Sequence, residues 1–208
     1  MKKIVALMTY LLAVAVMAFA QNGSTASKNY VITEKGVDCL QLQKKFLLKP
    51  PAGSIYERAV KGGTNDFGMV NYTLYKKNKK IGEAYVESGM LSGVMIYEGA
   101  VQLDNGFKLG GLLKDAFSLG NIDAVMYFDD MDYDYVHTVD YNGVRFGLSD
   151  DGLSDLGNKK QQKLKIKQDK WSETGDGSDQ PMEKLDVSDF KEGCKVVYFC
   201  AGICQLYW

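Results

Sequence analysis

An acidic cluster between two predicted strands is the first group whose spacing could support chemistry. Asp130, Asp132 and Asp134 stand at every second position, a spacing that brings carboxylate oxygens around a hard cation such as calcium. A helix–loop–helix calcium site also needs a glycine and a distal glutamate, but tyrosines occupy both positions. In the alternative interpretation the aspartates face water, while Tyr133 and Tyr135 face the other side of a strand.

The single histidine, His137, follows this cluster and is the candidate for a general base, oriented by Asp134 or Asp140. The chain has no Gly-x-Ser-x-Gly elbow, no phosphate-binding loop and no cysteine-nucleophile signature. Paired Cys-x-x-Cys spacing, as in zinc sites, is also missing. A lone histidine on an alternating strand is usually structural, so we predict no catalytic residue and no cofactor.

Lysines alternate with apolar residues at 163–167, a pattern typical of an exposed edge strand. The same lysines could instead bind an acidic glycan or a lipid head group, although acidic residues follow closely. The candidate binding residues are Lys163, Lys165, Lys167, Tyr133 and Tyr135.

Four cysteines are candidates for disulfides: Cys39, Cys194, Cys200 and Cys204. Four cysteines allow three pairings, and the sequence does not choose among them. In a continuous strand Cys200 and Cys204 would lie about 13 Å apart, so only a turn at 201–202 would let them join. Buried thiols in a core strand are the alternative.

The first twenty residues have the order of a secretory signal peptide. Lys2 and Lys3 precede an apolar run at 4–17, and Ala18-Phe19-Ala20 resembles a cleavage site. The rival interpretation is a membrane anchor, for which this run is barely long enough. We therefore predict a signal peptide at 1–20, a polar linker at 21–29, and export to the periplasm or cell exterior.

Composition limits the class of protein. The chain has 208 residues, 25 basic and 26 acidic side chains, and a net charge of −1. Such a balance provides no field for nucleic acid, which we exclude as a partner. With 46% hydrophobic residues, 13 tyrosines and 22 glycines, residues 30–208 are expected to fold as one β-rich domain.

The order of apolar runs and turn residues predicts the elements. Residues 30–33 form the first strand, and 69–148 alternate apolar with polar residues between turns, two of them at Asn105-Gly106 and Asn142-Gly143. Residues 37–48 fit either a helix or a strand, and 111–119 fit a short helix. The fold class expected is mainly β: an antiparallel meander or sandwich-like single domain with one or two short helices.

The stretch from Gly82 to Gly99, with aromatic Tyr85 and Tyr97 and spaced glycines, resembles hairpin repeats of the MORN type, and 103–111 is similar to a second unit. The resemblance covers only residues 69–111. It implies stacked hairpins and a scaffold or interaction role.

These observations predict a secreted, non-enzymatic binding or scaffold protein that presents tyrosine-rich hairpins to an unknown protein or glycan. One alternative is a small secreted hydrolase or metal-dependent enzyme using Asp130, Asp132 and His137. Another is a periplasmic inhibitor or immunity protein. The C-terminal Leu206-Tyr207-Trp208 resembles the last strand of an outer-membrane barrel, but we expect it to plug a core. Membrane association is then expected only through the cleaved signal.

Overall fold

The computed structural model describes residues 28–129, 134–149, 152–174 and 179–203. Within these ranges the strands are β1 (Tyr30–Thr33), β2 (Gly36–Val37), β3 (Leu40–Gln41), β4 (Arg58–Thr64), β5 (Val70–Lys76), β6 (Lys79–Glu87), β7 (Met90–Ile96), β8 (Val101–Gln102), β9 (Ile122–Asp129), β10 (Asp134–Tyr141), β11 (Val144–Leu148), β12 (Met182–Lys184) and β13 (Val196–Gly202). The helices are α1 (Leu113–Ser118) and α2 (Asp155–Thr174), and a 3₁₀ turn spans Val187–Asp189.

The described strands form two sheets. The large sheet has the order β12-β9-β10-β11-β13-β7-β6-β5-β4, and the small sheet has the order β3-β2-β1-β8. Every pairing is antiparallel except that of β1 with β8. The prediction of a mainly β, mostly antiparallel single domain is therefore confirmed.

Tight turns join the consecutive strands of the meander β4–β7. The β5–β6 turn uses Lys77 and Asn78, with φ of 47° and 62°, and the Asn142-Gly143 turn between β10 and β11 has φ of 46° and 79°. Positive φ at both central residues gives the twist that a two-residue hairpin needs. At Asn105 the turn differs, because only Gly106 has positive φ there and Leu103 N–H bonds to Phe107 O at 2.8 Å.

The prediction of an edge strand at 163–167 is wrong, because these residues lie in the middle of the 20-residue helix α2. Lysine, glutamine and leucine all favour a helix over an exposed strand. The buried side of α2 carries Gly157, Leu164 and Gln168, seven and four residues apart as one helical face requires. Ser154 begins the helix, since its Oγ accepts from the N–H of Leu156 at 3.2 Å.

Other local predictions have mixed outcomes. The first strand lies at Tyr30–Thr33, and the short helix expected in 111–119 lies at Leu113–Ser118. The ambiguous stretch 37–48 contains no helix. It holds the last residue of β2 and the whole of β3, followed by turns. Asp38 and Gln43 there have φ of 53° and 60°, values that interrupt a right-handed helix.

The main core lies between the two sheets and under the helices. Phe107, Phe146 and Phe199 pack at its centre, with ring centroids 5.4–6.2 Å apart. Leu164 of α2 and Ile32 of β1 belong to the same core. The small sheet and α2 therefore cover one face of the large sheet, which we call the inner face.

Candidate functional site

The opposite, outer face of the large sheet carries a second apolar cluster. Met69, Tyr85 and Met95 are buried there, and Tyr97 and Tyr198 pack against them. Strand alternation places Tyr85 and Met95 outward, since their neighbours in the chain belong to the main core. We call this surface the tyrosine face. It consists of Met69, Asn71, Tyr75, Lys80, Glu83, Tyr85, Met95, Tyr97 and Tyr198.

Glu83 is the polar centre of the tyrosine face. Its Oε1 accepts a hydrogen bond from Lys80 Nζ at 2.7 Å. Its Oε2 accepts from Asn71 Nδ2 and from the Tyr85 hydroxyl, each at 3.1 Å. The carboxylate therefore ties together two adjacent strands, β5 and β6, through three donors.

The ionisation of these groups follows from their contacts. Burial alone would raise the pKa of Glu83, but the hydrogen bonds from Lys80, Asn71 and Tyr85 outweigh it and hold that pKa below its ordinary value. The hydrogen bond to Glu83 raises the pKa of Lys80. Burial raises the pKa of the Tyr85 phenol, which stays protonated and continues to donate. Glu83 and Lys80 thus form a persistent ion pair at neutral pH.

A β-bulge makes this arrangement possible. On β6, Gly82 pairs with Leu74 and Lys80 pairs with Tyr75, so Ile81 is an extra residue. In a regular strand, side chains three residues apart leave opposite faces. The extra residue reverses the alternation, so Lys80 and Glu83 share the outer face while Ile81 is buried in the main core.

One polar atom of the tyrosine face has unused hydrogen-bonding capacity. Asn71 Oδ1 is buried and makes no hydrogen bond within the described part of the chain. Lys80 lies beside Tyr97, with Nζ 5.3 Å from the ring centroid. Burial raises the pKa of Tyr97. Buried polar atoms of this kind are unfavourable unless another molecule satisfies them.

Arginines border the tyrosine face. The Arg58 guanidinium lies 4.1 Å from the centroid of the Tyr75 ring, a cation–π contact that fixes the ring. Across the sheet, Arg145 Nε lies 3.5 Å from Asp140 Oδ1. Tyrosine, methionine and arginine are the residue types enriched in protein–protein interfaces. The arrangement is suited to contact and hydrogen bonding.

Some of the residues singled out in the sequence meet at a different place. Asp134, Tyr135 and Lys165 line one cavity of about 330 Å³, together with Gln161 and Gln162. This cavity lies between the start of β10 and α2. Asp130, Asp132 and Tyr133 lie outside the described residues, so the proposed cation loop stays a prediction.

The three candidate lysines do not form one row. On a helix, Lys163 and Lys167 lie on similar faces and Lys165 on the opposite one. Lys167 bonds to the carboxylate of Glu183, which ties α2 to β12. A strand would have placed all three lysines side by side, as the sequence interpretation assumed.

His137 faces the inner side of β10, where its ring lies 5.9 Å from that of Phe190 in an edge-on contact. Asp134 and Asp140 leave the other face of this regular strand. The two carboxylates expected to orient the imidazole are thus on the wrong side of the strand. Within the described ranges, no group of three His, Cys, Asp or Glu side chains could hold a metal ion.

The cysteines fall into two chemical states. Cys39 and Cys194 are thiols, and Cys194 Sγ lies 3.9 Å from the Ser149 carbonyl oxygen. Burial raises the pKa of Cys39. Cys200 is disulfide-bonded, and Cys204 lies outside the described residues.

Sequence reasoning missed two groups. Neither Glu83 nor Lys76 is among the candidate residues that the sequence indicates. Lys76 has no local signal, because its partners Tyr30 and Ser54 come from distant parts of the chain. Lys80 lies near Glu83 in the chain, but a regular strand would place the two side chains on opposite faces. Register alternation around the bulge at Ile81 is the one clue to Glu83, and it becomes readable only once the pairing of β5 with β6 is known.

No helix in the described residues is both long and apolar enough to cross a membrane.

Comparisons with known proteins identify no family. No protein-family model matches the chain, and no curated protein matches it. The chain is similar to the crystal structure of the uncharacterized protein yfeY from Escherichia coli, with 13% sequence identity. That match covers 83% of this chain and 99% of yfeY, with a TM-score of 0.45.

Proposed function

We propose that this protein is an exported, non-enzymatic binding protein whose tyrosine face holds a protein partner. The observation that carries the proposal is the Glu83 network, which holds Tyr85 on the outer face of the large sheet, where the half-buried Tyr97 and Tyr198 pack beside it. Rigid tyrosines supply contact area with little loss of conformational entropy on binding. A side chain that is already ordered loses less free energy when a partner arrives.

The chemistry of the face favours a protein over a glycan. Tyr85 and Met95 are 1% and 8% exposed, so the accessible aromatic surface is that of the half-buried Tyr75, Tyr97 and Tyr198 and the centre of the face offers no broad stacking platform. Arginines at the border and methionines at the centre are typical of protein interfaces. The side-chain oxygen of Asn71, which has no hydrogen-bond partner within the described residues, offers one acceptor to a partner.

Site-specific photo-crosslinking tests this proposal. A benzophenone amino acid replaces Tyr75 on the tyrosine face or, as the matched control, Tyr127 on β9 of the same sheet. After expression in a host that exports the chain, we expect one discrete adduct from position 75 and none from position 127. Adding Tyr97→Ala to the position-75 protein should reduce the adduct. Identical adduct patterns from both positions, or no adduct from position 75, would contradict the proposal.

A further inference from the structure

A cavity of about 540 Å³ lies on the other side of the meander, beneath the β5–β6 turn. The start of β1, the segment 53–55 and residues 98–100 complete its walls. Its charged lining consists of Lys28, Lys76, Lys77 and Glu98. The volume is in the range of small-molecule sites in proteins.

Lys76 is an inward-facing lysine with only neutral partners. It leaves β5 on the same face as the buried Leu74, and its Nζ donates to the Tyr30 hydroxyl at 3.0 Å and to the Ser54 carbonyl at 2.9 Å. The same Nζ lies 4.8 Å from the centroid of the Tyr30 ring. The Tyr30 hydroxyl in turn donates to the Gly53 carbonyl at 2.8 Å. These contacts hold the ammonium in place and leave one of its three N–H donors for another acceptor.

Of the acidic side chains nearby, Glu98 and Asp38 are paired with other lysines, and Glu57 Oε2 accepts a hydrogen bond from the backbone N–H of Lys77 at 2.9 Å. Lys79 Nζ lies 2.9 Å from Glu98 Oε1, and Lys28 Nζ lies 3.5 Å from Asp38 Oδ1. Among the described residues no ion pair joins Lys76 or Lys77 to a carboxylate within 4.0 Å. A half-buried ammonium without a counter-charge is unfavourable, and an anion entering the cavity would compensate it.

Apolar side chains form the remaining wall. Ile55, Ile81 and Tyr30 line the cavity, and these residues are 2%, 4% and 7% exposed. A hydrated inorganic ion would gain nothing from this wall, whereas a hydrocarbon body would be removed from water there. We propose that the cavity binds a small organic anion, with its carboxylate or phosphate head on Lys76 and Lys77 and its apolar body against Ile55 and Ile81. This site is independent of the tyrosine face.

Calorimetric titration with simple amphiphiles tests the proposal. Octanoate and octyl phosphate carry the two head groups, octylamine carries the opposite charge, and inorganic phosphate lacks the apolar body. We expect at least one of the two anionic amphiphiles to bind, and added salt to weaken its binding. Octylamine should not bind, and inorganic phosphate should bind at least about tenfold more weakly than octyl phosphate. The tighter of the two anions identifies the head group.

Variants then locate the site. Lys76→Met should weaken binding of the anionic amphiphile by about tenfold or more, and Tyr30→Phe, which removes only the hydroxyl holding Nζ, should weaken it less. Lys159→Met, at an exposed position on α2, should leave the Kd unchanged. If Lys76→Met fails to fold, the exposed Lys77→Gln carries the test. The proposal is overturned if neither anion binds, if octylamine binds as tightly, or if the soluble variants keep the wild-type Kd.

Discussion

Lys80 Nζ and Glu83 Oε1 lie 2.7 Å apart on the outer face of β6, although the two residues are three apart on one strand. The bulge at Ile81 explains this relationship, because the extra residue reverses the side-chain alternation between them. The same bulge buries Ile81 in the wall of the 540 Å³ cavity that we propose binds an organic anion. One irregularity in one strand therefore shapes both candidate sites, one on each face of the sheet.

Replacing Glu83 should destabilise the protein. Glu83→Gln removes a charged acceptor of three hydrogen bonds and leaves the Lys80 ammonium without its partner. We expect the free energy of unfolding at pH 7 to fall by about 1–3 kcal/mol. Urea denaturation measures the change. Glu87→Gln, an exposed position at the end of the same strand, is the matched control and should be close to neutral; equal effects of both variants would contradict the role given to Glu83.

The contribution of Glu83 should also depend on pH in a defined direction. Its pKa in the folded protein is lowered from the ordinary value of 4.5. Its stabilising effect is therefore fully present above that value and is lost as the pH falls through the lower folded pKa. The stability difference between wild type and Glu83→Gln should shrink between pH 5 and pH 3, which denaturation at several pH values measures. A difference that grows on acidification would reverse the assigned direction.

Gly157 should tolerate no side chain, although alanine is the better helix former. A Cβ at this position would lie 2.3 Å from the Asp189 carbonyl oxygen, where α2 touches the 3₁₀ turn. The clash outweighs the gain of about 1 kcal/mol in helix propensity, and we expect Gly157→Ala to lower stability by about 1–3 kcal/mol. The next residue provides the control, since Asn158→Ala is exposed and should change stability by less than about 0.5 kcal/mol. Thermal unfolding followed by circular dichroism distinguishes the two.

The ion pair between Lys160 and Asp189 should show strong coupling. Lys160 Nζ lies 2.5 Å from Asp189 Oδ2, and Asp189 is 1% exposed. Asp189 also accepts the Asp186 N–H at 2.8 Å, which closes the 3₁₀ turn. Removing the lysine alone leaves a buried carboxylate without its cation, so Lys160→Met should cost about 2–3 kcal/mol.

A double-mutant cycle isolates that pair. Lys160→Met, Asp189→Asn and the double variant should deviate from additivity by more than about 1 kcal/mol, with the double variant more stable than the sum predicts. Chemical denaturation of all four proteins gives the coupling energy. Strict additivity would mean that the two side chains contribute separately.

The two classes of cysteine should react differently. Iodoacetamide should alkylate Cys39 in the denatured protein without a reductant, whereas Cys200 should be alkylated only after reduction of its disulfide. In the native protein, burial raises the pKa of Cys39, so its alkylation at neutral pH should be slower than that of a cysteine in a short peptide. Peptide mass spectrometry locates the adducts. Alkylation of Cys200 before reduction would contradict the disulfide.

Features encoded over a few residues were predictable. The strand at Tyr30–Thr33, the short helix α1 and the turn at Asn142-Gly143 depend on local backbone preferences that the residues themselves carry. The helix α2 was not predicted, because five alternating residues at 163–167 imitate a strand. Its apolar face is sparse, and only contact with the 3₁₀ turn and β12 shows which side is buried.

The sequence by itself determined the class of fold, since turn residues between alternating runs permit little besides antiparallel strands. It also determined that tyrosines would be abundant on those hairpins. Tertiary structure alone decided that the C-terminal strand β13 lies between β7 and β11, that Glu83 gathers donors from two strands, and that Lys76 points inward to Tyr30. The strand order and the Lys76–Tyr30 contact join residues far apart in the chain, and the Glu83 network depends on the bulged register of β6 against β5. All three are set by burial of the whole core and not by any local preference.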